Sequence, residues 1–274
     1  MADIFKKCSE YLEPKIVKEA GLYPFFRPIN ASRGSTVTYN GKPVVMIGSN
    51  NYLGLTHDPL TKKKAKAAID RFGTGCTGSR FLNGNTILHD QLEEKLAAFV
   101  QKEAALVFTT GFLTNLGTIG CLAEPQDTIL SDAENHASII DGCRLSKAKI
   151  KTYRHNNMND LKNKIGGVPD ESGCLIVTDG VFSMTGDIVN LPELIAVKKK
   201  YPQARLFLDD AHGLGVLGPG GAGTSAHFGL TDEVDLIMGT FSKSFASIGG
   251  FLAGSLDVVE YVKHKARSFI FSAA

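Results

Sequence analysis

The 274-residue chain sets 30 basic against 28 acidic side chains, and the resulting formal charge of +2 supplies no strong field for nucleic acid or an anionic membrane. Its 43% hydrophobic content suits a globular protein with a sizeable core, while no apolar run reaches the roughly 18 residues of a transmembrane helix and the charged N-terminus lacks an apolar leader. Cys8, Cys76, Cys121, Cys143 and Cys174 lie far apart without Cys-x-x-Cys spacing, which argues against a metal site or a disulfide framework and predicts reduced thiols in a soluble, cytoplasmic protein.

Residues 1 to 22 place Ile4, Phe5, Tyr11, Leu12, Ile16 and Val17 at helical spacing, and Tyr23-Pro24-Phe25-Phe26-Arg27-Pro28 ends that helix. Two strand-like runs within 36 to 47 flank Asn40-Gly41, a hairpin signal, and Asn50-Asn51-Tyr52-Leu53-Gly54 follows as a loop. We therefore expect an N-terminal arm and hairpin over 1–57 and one large domain over 58–274.

In that domain the periodicity predicts helices over 59–71, 87–101, 112–123, 137–146, 158–165, 191–200 and 257–267. Between them lie short apolar runs at 105–108, 128–131, 175–178, 206–209, 234–238 and 250–253. Near-continuous apolar strands, most of them separated by helices, imply an α/β fold with a mostly parallel central sheet buried on both faces.

Three stretches match the dinucleotide fingerprint G-x-G-x-x-G: Gly73 to Gly78, Gly213 to Gly218 and Gly218 to Gly223. Each fails the context that the fingerprint needs, because the first follows a helix and Pro219-Gly220-Gly221 interrupts any helix opened by the others. Gly239 to Ser244 ends in Lys-Ser like a P-loop, but Ser242 stands where the glycine before the lysine is required. The lysine clusters at 62–66 and 198–200 read as solvated helix faces.

Lys243 and Asp209 carry the chemistry. A lysine can hold the aldehyde of pyridoxal phosphate as a Schiff base, and a carboxylate at the end of a buried strand can hold the pyridine nitrogen protonated. Asp209 ends the run 206–209, where open α/β sheets place their ligand crevices, and the competing reading is a cap for the next turn. Asp210 should face the other way, since successive strand residues alternate.

His212, three residues on, is within reach of the ring's phenolic oxygen, and His136, after the run 128–131, could stack on the ring. Thr110-Gly111-Phe112 offers backbone N–H donors at a helix start for the phosphate, and Thr240 and Ser242 offer hydroxyls. Ser183, after another strand, could reach the ring oxygen; for each hydroxyl alone, turn or cap chemistry competes.

Taken in order, five segments resemble motifs of the α-oxoamine synthase family of fold-type-I pyridoxal phosphate enzymes. They are Ser-Asn-Asn-Tyr-Leu-Gly-Leu at 49–55, Asn-His-Ala-Ser at 135–138, Gly-Val-Phe-Ser-Met-Thr-Gly-Asp at 180–187, Asp-Asp-Ala-His-Gly at 209–213 and Thr-Phe-Ser-Lys-Ser at 240–244. The resemblance implies an aminotransferase-like large domain with Lys243 as the Schiff-base lysine and Asp209 at the pyridine nitrogen. It also implies His212 and Ser183 near the ring oxygen, His136 stacked on the ring, and Gly111, Phe112, Thr240 and Ser242 at the phosphate. Ser272 would reach the phosphate of the neighbouring subunit of a homodimer with shared sites, and Asn50 would lie by the substrate.

The segments at 21–29 and 73–85 look most like the bacterial members that condense L-serine with palmitoyl-CoA to 3-oxosphinganine, the first step of sphingolipid biosynthesis. The alternatives are members acting on alanine or glycine with another acyl-CoA and, from a different class, a non-catalytic partner subunit. Amino acid and acyl-CoA are then the substrates, nucleic acid is not a partner, no metal is needed, and peripheral membrane contact stays open. Members of the family continue past position 274 into a smaller C-terminal domain, so the chain is expected to be a fragment lacking it.

Overall fold

A computed structural model describes residues 3–273, so residues 1, 2 and 274, the outer ends of the predicted arm and large domain, lie outside the described residues. The chain divides into two units, Met1–Gly48 and Ser49–Ala274.

In the first unit the single helix expected over 1–22 is replaced by α1 (Lys6–Ser9) and α2 (Glu13–Glu19). Pro14 causes the break: it lacks an N–H and its ring clashes with the carbonyl four residues back, so it fits the first turn of α2 but not the middle of a longer helix. Strands β1 (Ala31–Arg33), β2 (Thr36–Tyr39) and β3 (Lys42–Val45) form an antiparallel sheet in that order. The expected hairpin joins β2 to β3 through Asn40 and Gly41, both at positive φ (49° and 75°), the backbone that matches strand twist.

The second unit runs α3 (Pro59–Phe72), α4 (Ile87–Phe99), β4 (Ala104–Phe108), α5 (Gly111–Leu122), β5 (Thr128–Asp132), α6 (Ala137–Ser146), β6 (Lys149–Tyr153), α7 (Met158–Ile165) and β7 (Cys174–Asp179). It continues with α8 (Leu191–Lys198), β8 (Ala204–Asp209), α9 (Thr224–His227), β9 (Leu236–Thr240), β10 (Gly250–Gly254), α10 (Leu256–Lys265) and α11 (Arg267–Ile270). The seven-stranded sheet has the order β4-β10-β9-β8-β7-β5-β6, with β10 antiparallel to both neighbours and the pairs from β9 to β6 parallel.

Each strand read from the sequence is present; β1 is an addition in the first unit, and β6 is an addition in the second. Its Lys-Ile-Lys-Thr-Tyr alternates charged and apolar residues at the sheet edge, so it lacks the continuous apolar signature of the inner strands. The helix expected over 257–267 is broken at Ala266, which is extended (φ −69°, ψ 109°) and fully buried. Among the described residues no helix is long and apolar enough to cross a membrane.

Two cores cover the two faces of the sheet, and strand residues alternate between them. Leu206, Leu208, Ile176, Ile237 and Leu130 pack into one core with Leu161 of α7 and Leu194 of α8. Phe207, Val177, Met238 and Ile129 pack into the other with Ile119 of α5 and Ile139 of α6. The same alternation aims the last residues: Asp179, Asp209 and Thr240, each two positions beyond a residue of the second core, face α5 and α6, and Asp210 faces away.

Candidate active site

A cavity of about 310 Å³ lies at the carboxyl ends of the parallel strands, lined among others by Gly111, Phe112, Asn115, His136, Ser183, Asp209, His212, Thr240, Ser242 and Lys243. The topology thus brings nine of the eleven site residues read from the sequence to one hollow. Asn50 and Ser272 are the exceptions. Asn50 accepts a hydrogen bond from Tyr52 Oη at 3.2 Å, and Ser272 follows α11 outside the cavity lining.

Asp209 is 4% exposed and needs partners. Its Oδ2 accepts from Asn115 Nδ2 at 2.6 Å, and its Oδ1 accepts from the Ala211 N–H at 3.1 Å. Asn115 Nδ2 also donates to Ser138 Oγ at 2.8 Å, which ties α5 and α6 to the carboxylate. Asp210 behaves as strand alternation requires: it is fully buried and accepts from the Thr224 N–H and Oγ1, both at 2.6 Å. Burial raises its pKa to about 6 against the lowering effect of those bonds.

The glycine-rich stretch serves this second carboxylate. A Cβ at Gly213 would meet Asp210 Oδ1 at 2.0 Å, and one at Gly223 would meet Asp210 Oδ2 at 2.1 Å. The dinucleotide-like spacing is therefore the wrapping of a loop around Asp210, with Gly215, Gly218 and Gly223 at positive φ.

Lys243 sits in the loop between β9 and β10, and its Nζ lies 2.7 Å from His212 Nε2. His212 Nδ1 lies 2.6 Å from Tyr52 Oη. Burial, then the charges of Lys243 and His136, lower the His212 pKa to about 4, so its ring is neutral near neutral pH. One arrangement then satisfies every atom: Lys243 donates to Nε2, Nδ1–H donates to Tyr52 Oη, and the Tyr52 hydroxyl donates to Asn50. Burial also lowers the Lys243 pKa, opposed by Asp209 and Asp179. Asp179 itself is pushed well above the ordinary carboxylate value by burial and by Asp209, while its Oδ2 accepts the His136 N–H at 3.0 Å.

His136 caps α6 with its own ring: Nδ1 accepts from the Ser138 N–H at 3.3 Å. Thr110 caps α5, its Oγ1 accepting from the Leu113 N–H at 3.1 Å, so the N–H groups of Gly111 and Phe112 project from the start of a twelve-residue helix. Such a terminus favours an anion, and Thr240 and Ser242, hydroxyl to hydroxyl at 2.9 Å, lie beside it.

These residues fit pyridoxal phosphate. A Cβ at position 111 would meet Thr240 Oγ1 at 2.8 Å, so bare backbone forms that wall and a phosphate can approach it. Asn115 Oδ1 is buried beside Asp209 without a partner, and the amine, carboxylate and anion cradle that the cofactor needs share one cavity. Asn115 and Tyr52 escaped the reading of the sequence. Asn115 lies in mid-helix, where no local pattern marks it, whereas Tyr52 stood inside a motif already noted at 49–55.

The family model for aminotransferase class I and II matches residues 42–274. A serine palmitoyltransferase of Sphingobacterium spiritivorum is 57% identical over 94% of this chain and 64% of its own length. An 8-amino-7-oxononanoate synthase of Lysinibacillus sphaericus is 47% identical over 96% of this chain and 67% of its own. Among solved structures, a serine palmitoyltransferase from S. paucimobilis with bound PLP-myriocin aldimine superposes with a TM-score of 0.96 at 36% identity, covering 100% of this chain and 69% of that one. The chain thus spans 64% of the length of the Sphingobacterium relative that it matches.

Proposed function

From a chain that belongs to the class I and II aminotransferase family, in its α-oxoamine synthase branch, we propose an acyltransferase that uses pyridoxal phosphate to condense L-serine with a long-chain acyl-CoA. CoA and carbon dioxide leave, and 3-oxosphinganine is formed. The observation that carries this reading is the convergence of Lys243, Asp209, His136 and His212 on one cavity, combined with 57% identity to a serine palmitoyltransferase.

When bound, pyridoxal phosphate supplies an electron sink for negative charge at the amino acid Cα. The N–H groups of Gly111 and Phe112, with Thr240 and Ser242, would hold its phosphate, Asp209 its ring nitrogen, His136 its ring face, and Ser183 and His212 its ring oxygen. Lys243 would anchor its aldehyde. Lys243 would also take the Cα proton as general base, and burial favours the neutral amine that this role needs.

The reading includes a cytoplasmic homodimer with shared sites. It takes residues 1–57 as an N-terminal arm and hairpin and 58–274 as the large domain, with Ser272 reaching the partner's phosphate site; Ser272 does not line the cavity of its own chain. The 47% identity to an 8-amino-7-oxononanoate synthase keeps alanine or glycine as the second reading. A non-catalytic partner subunit is disfavoured, since it has no use for Lys243 and Asp209 together. The test adds serine, alanine and glycine separately to the full-length protein loaded with pyridoxal phosphate, follows its visible absorption, and measures CoA release with short and long acyl-CoAs. A serine-specific spectral change and release with long chains are expected; preference for alanine or glycine overturns the serine assignment.

A further inference from the structure

His155, just beyond β6, lies outside the cavity lining yet between two carboxylates. Its Nδ1 is 3.0 Å from Asp132 Oδ1 and its Nε2 is 3.0 Å from Asp187 Oδ2. Carboxylates only accept, and a neutral imidazole carries one N–H, so a neutral His155 would leave one nitrogen lone pair facing an oxygen lone pair. Both contacts are satisfied only by the imidazolium. The Asp132 side chain is completely buried, which makes a cationic partner more necessary still.

The two carboxylates belong to the two loops that feed the cavity. Asp132 ends β5 and organises the turn before His136, with Oδ1 accepting from the Glu134 N–H at 2.9 Å and Oδ2 from the Asn156 N–H at 2.8 Å. Asp187 closes the short loop that carries Ser183, where the Phe182 N–H donates to the Asp187 carbonyl at 2.9 Å and the Gly186 N–H to the Phe182 carbonyl at 2.8 Å. The His155 ring also meets buried Phe182 edge-on, 4.4 Å between centroids. Neighbouring Asn156 extends the link by donating to the Ile188 carbonyl at 3.1 Å.

We infer that His155 is a positioning residue: as an imidazolium clamped between Asp132 and Asp187, it fixes the 132–136 turn and the 182–187 loop from which His136 and Ser183 enter the cavity. The other charged groups around it do not compete. Arg154 is engaged with Asp160 of α7, its N–H donating to Asp160 Oδ2 at 2.8 Å, and Asp179 is turned to the His136 N–H. Desolvation lowers the His155 pKa, but hydrogen bonds to Asp132 and then Asp187 outweigh it and carry the value above the ordinary one. The consequence for cofactor retention rests on the proposed function; the clamp itself does not.

The test has two readouts. In the cofactor-free chain, ¹⁵N-histidine NMR is expected to show His155 still doubly protonated at a pH where a free imidazole is mostly neutral. Hydrogen exchange of peptides spanning 182–187 should accelerate as that proton is lost. Asp187→Asn, at a half-exposed side chain, should lower the pH of both events. In the full-length protein, the same variant and His155→Gln should release pyridoxal phosphate about tenfold faster, with His155→Gln losing the pH dependence. A neutral His155 at that pH, or exchange in Asp187→Asn identical to the parent, overturns the clamp. Unchanged cofactor release with the clamp present overturns the positioning role alone.

Discussion

At the scale of single residues, the candidate site depends on where one carboxylate and one amine point. Lys243→Ala is expected to leave the fold intact and to abolish borohydride-fixable pyridoxal phosphate, because the side chain ends in the cavity and not in either core. Peptide mapping that finds label on another lysine would refute its role. Asp209→Asn should keep the cofactor but lower turnover by about a hundredfold or more, since an amide cannot hold a pyridine nitrogen protonated. Near-normal turnover would reduce Asp209 to a turn cap. Much of this residue set was legible in the sequence because Lys243, Asp209 and both histidines lie at ends of short apolar runs. Asn115, which holds Asp209 at 2.6 Å, was not legible, because a polar residue within a helix looks the same whether it faces water or a carboxylate 94 positions away.

Elements decide how closely those residues approach. The start of α5 lies directly on β10: a Cβ at Gly250 would meet Gly111 Cα at 2.7 Å and Thr114 Oγ1 at 2.7 Å. Gly250→Ala is therefore expected to lift the helix start, costing about 1–3 kcal/mol in urea unfolding and weakening pyridoxal phosphate binding in the same variant. Loss of stability without loss of binding would show that the phosphate is held elsewhere. The inner strands announced themselves as apolar runs because both faces are covered, and β6 did not because Lys149 and Ile150 at the edge are exposed. The N-terminal helix was over-read for a related reason: apolar spacing persists across residues 11 and 12, while Pro14 forbids the hydrogen bonds that would connect them.

The molecule as a whole carries the pH dependence of its buried groups. His212 titrates near 4 when folded and at about 6.5 when unfolded, so the unfolded chain binds its proton first as pH falls. Its contribution is present above about pH 6.5 and is lost on acidification through pH 4. His212→Asn should therefore flatten the acid limb of stability between those values, read as urea midpoints; an unchanged slope would show that His212 is charged in the fold. Because β10 runs against β9, Lys243 sits in a local hairpin that the Phe241 N–H and the Gly249 carbonyl close at 2.9 Å, whereas parallel neighbours must wait for a crossover. The reactive amine can be seated early in folding, before Asn115 and Asp209 find each other. Pulse-labelled amides should record that chronology, with Phe241 and Ser247 protected ahead of β7 and β8.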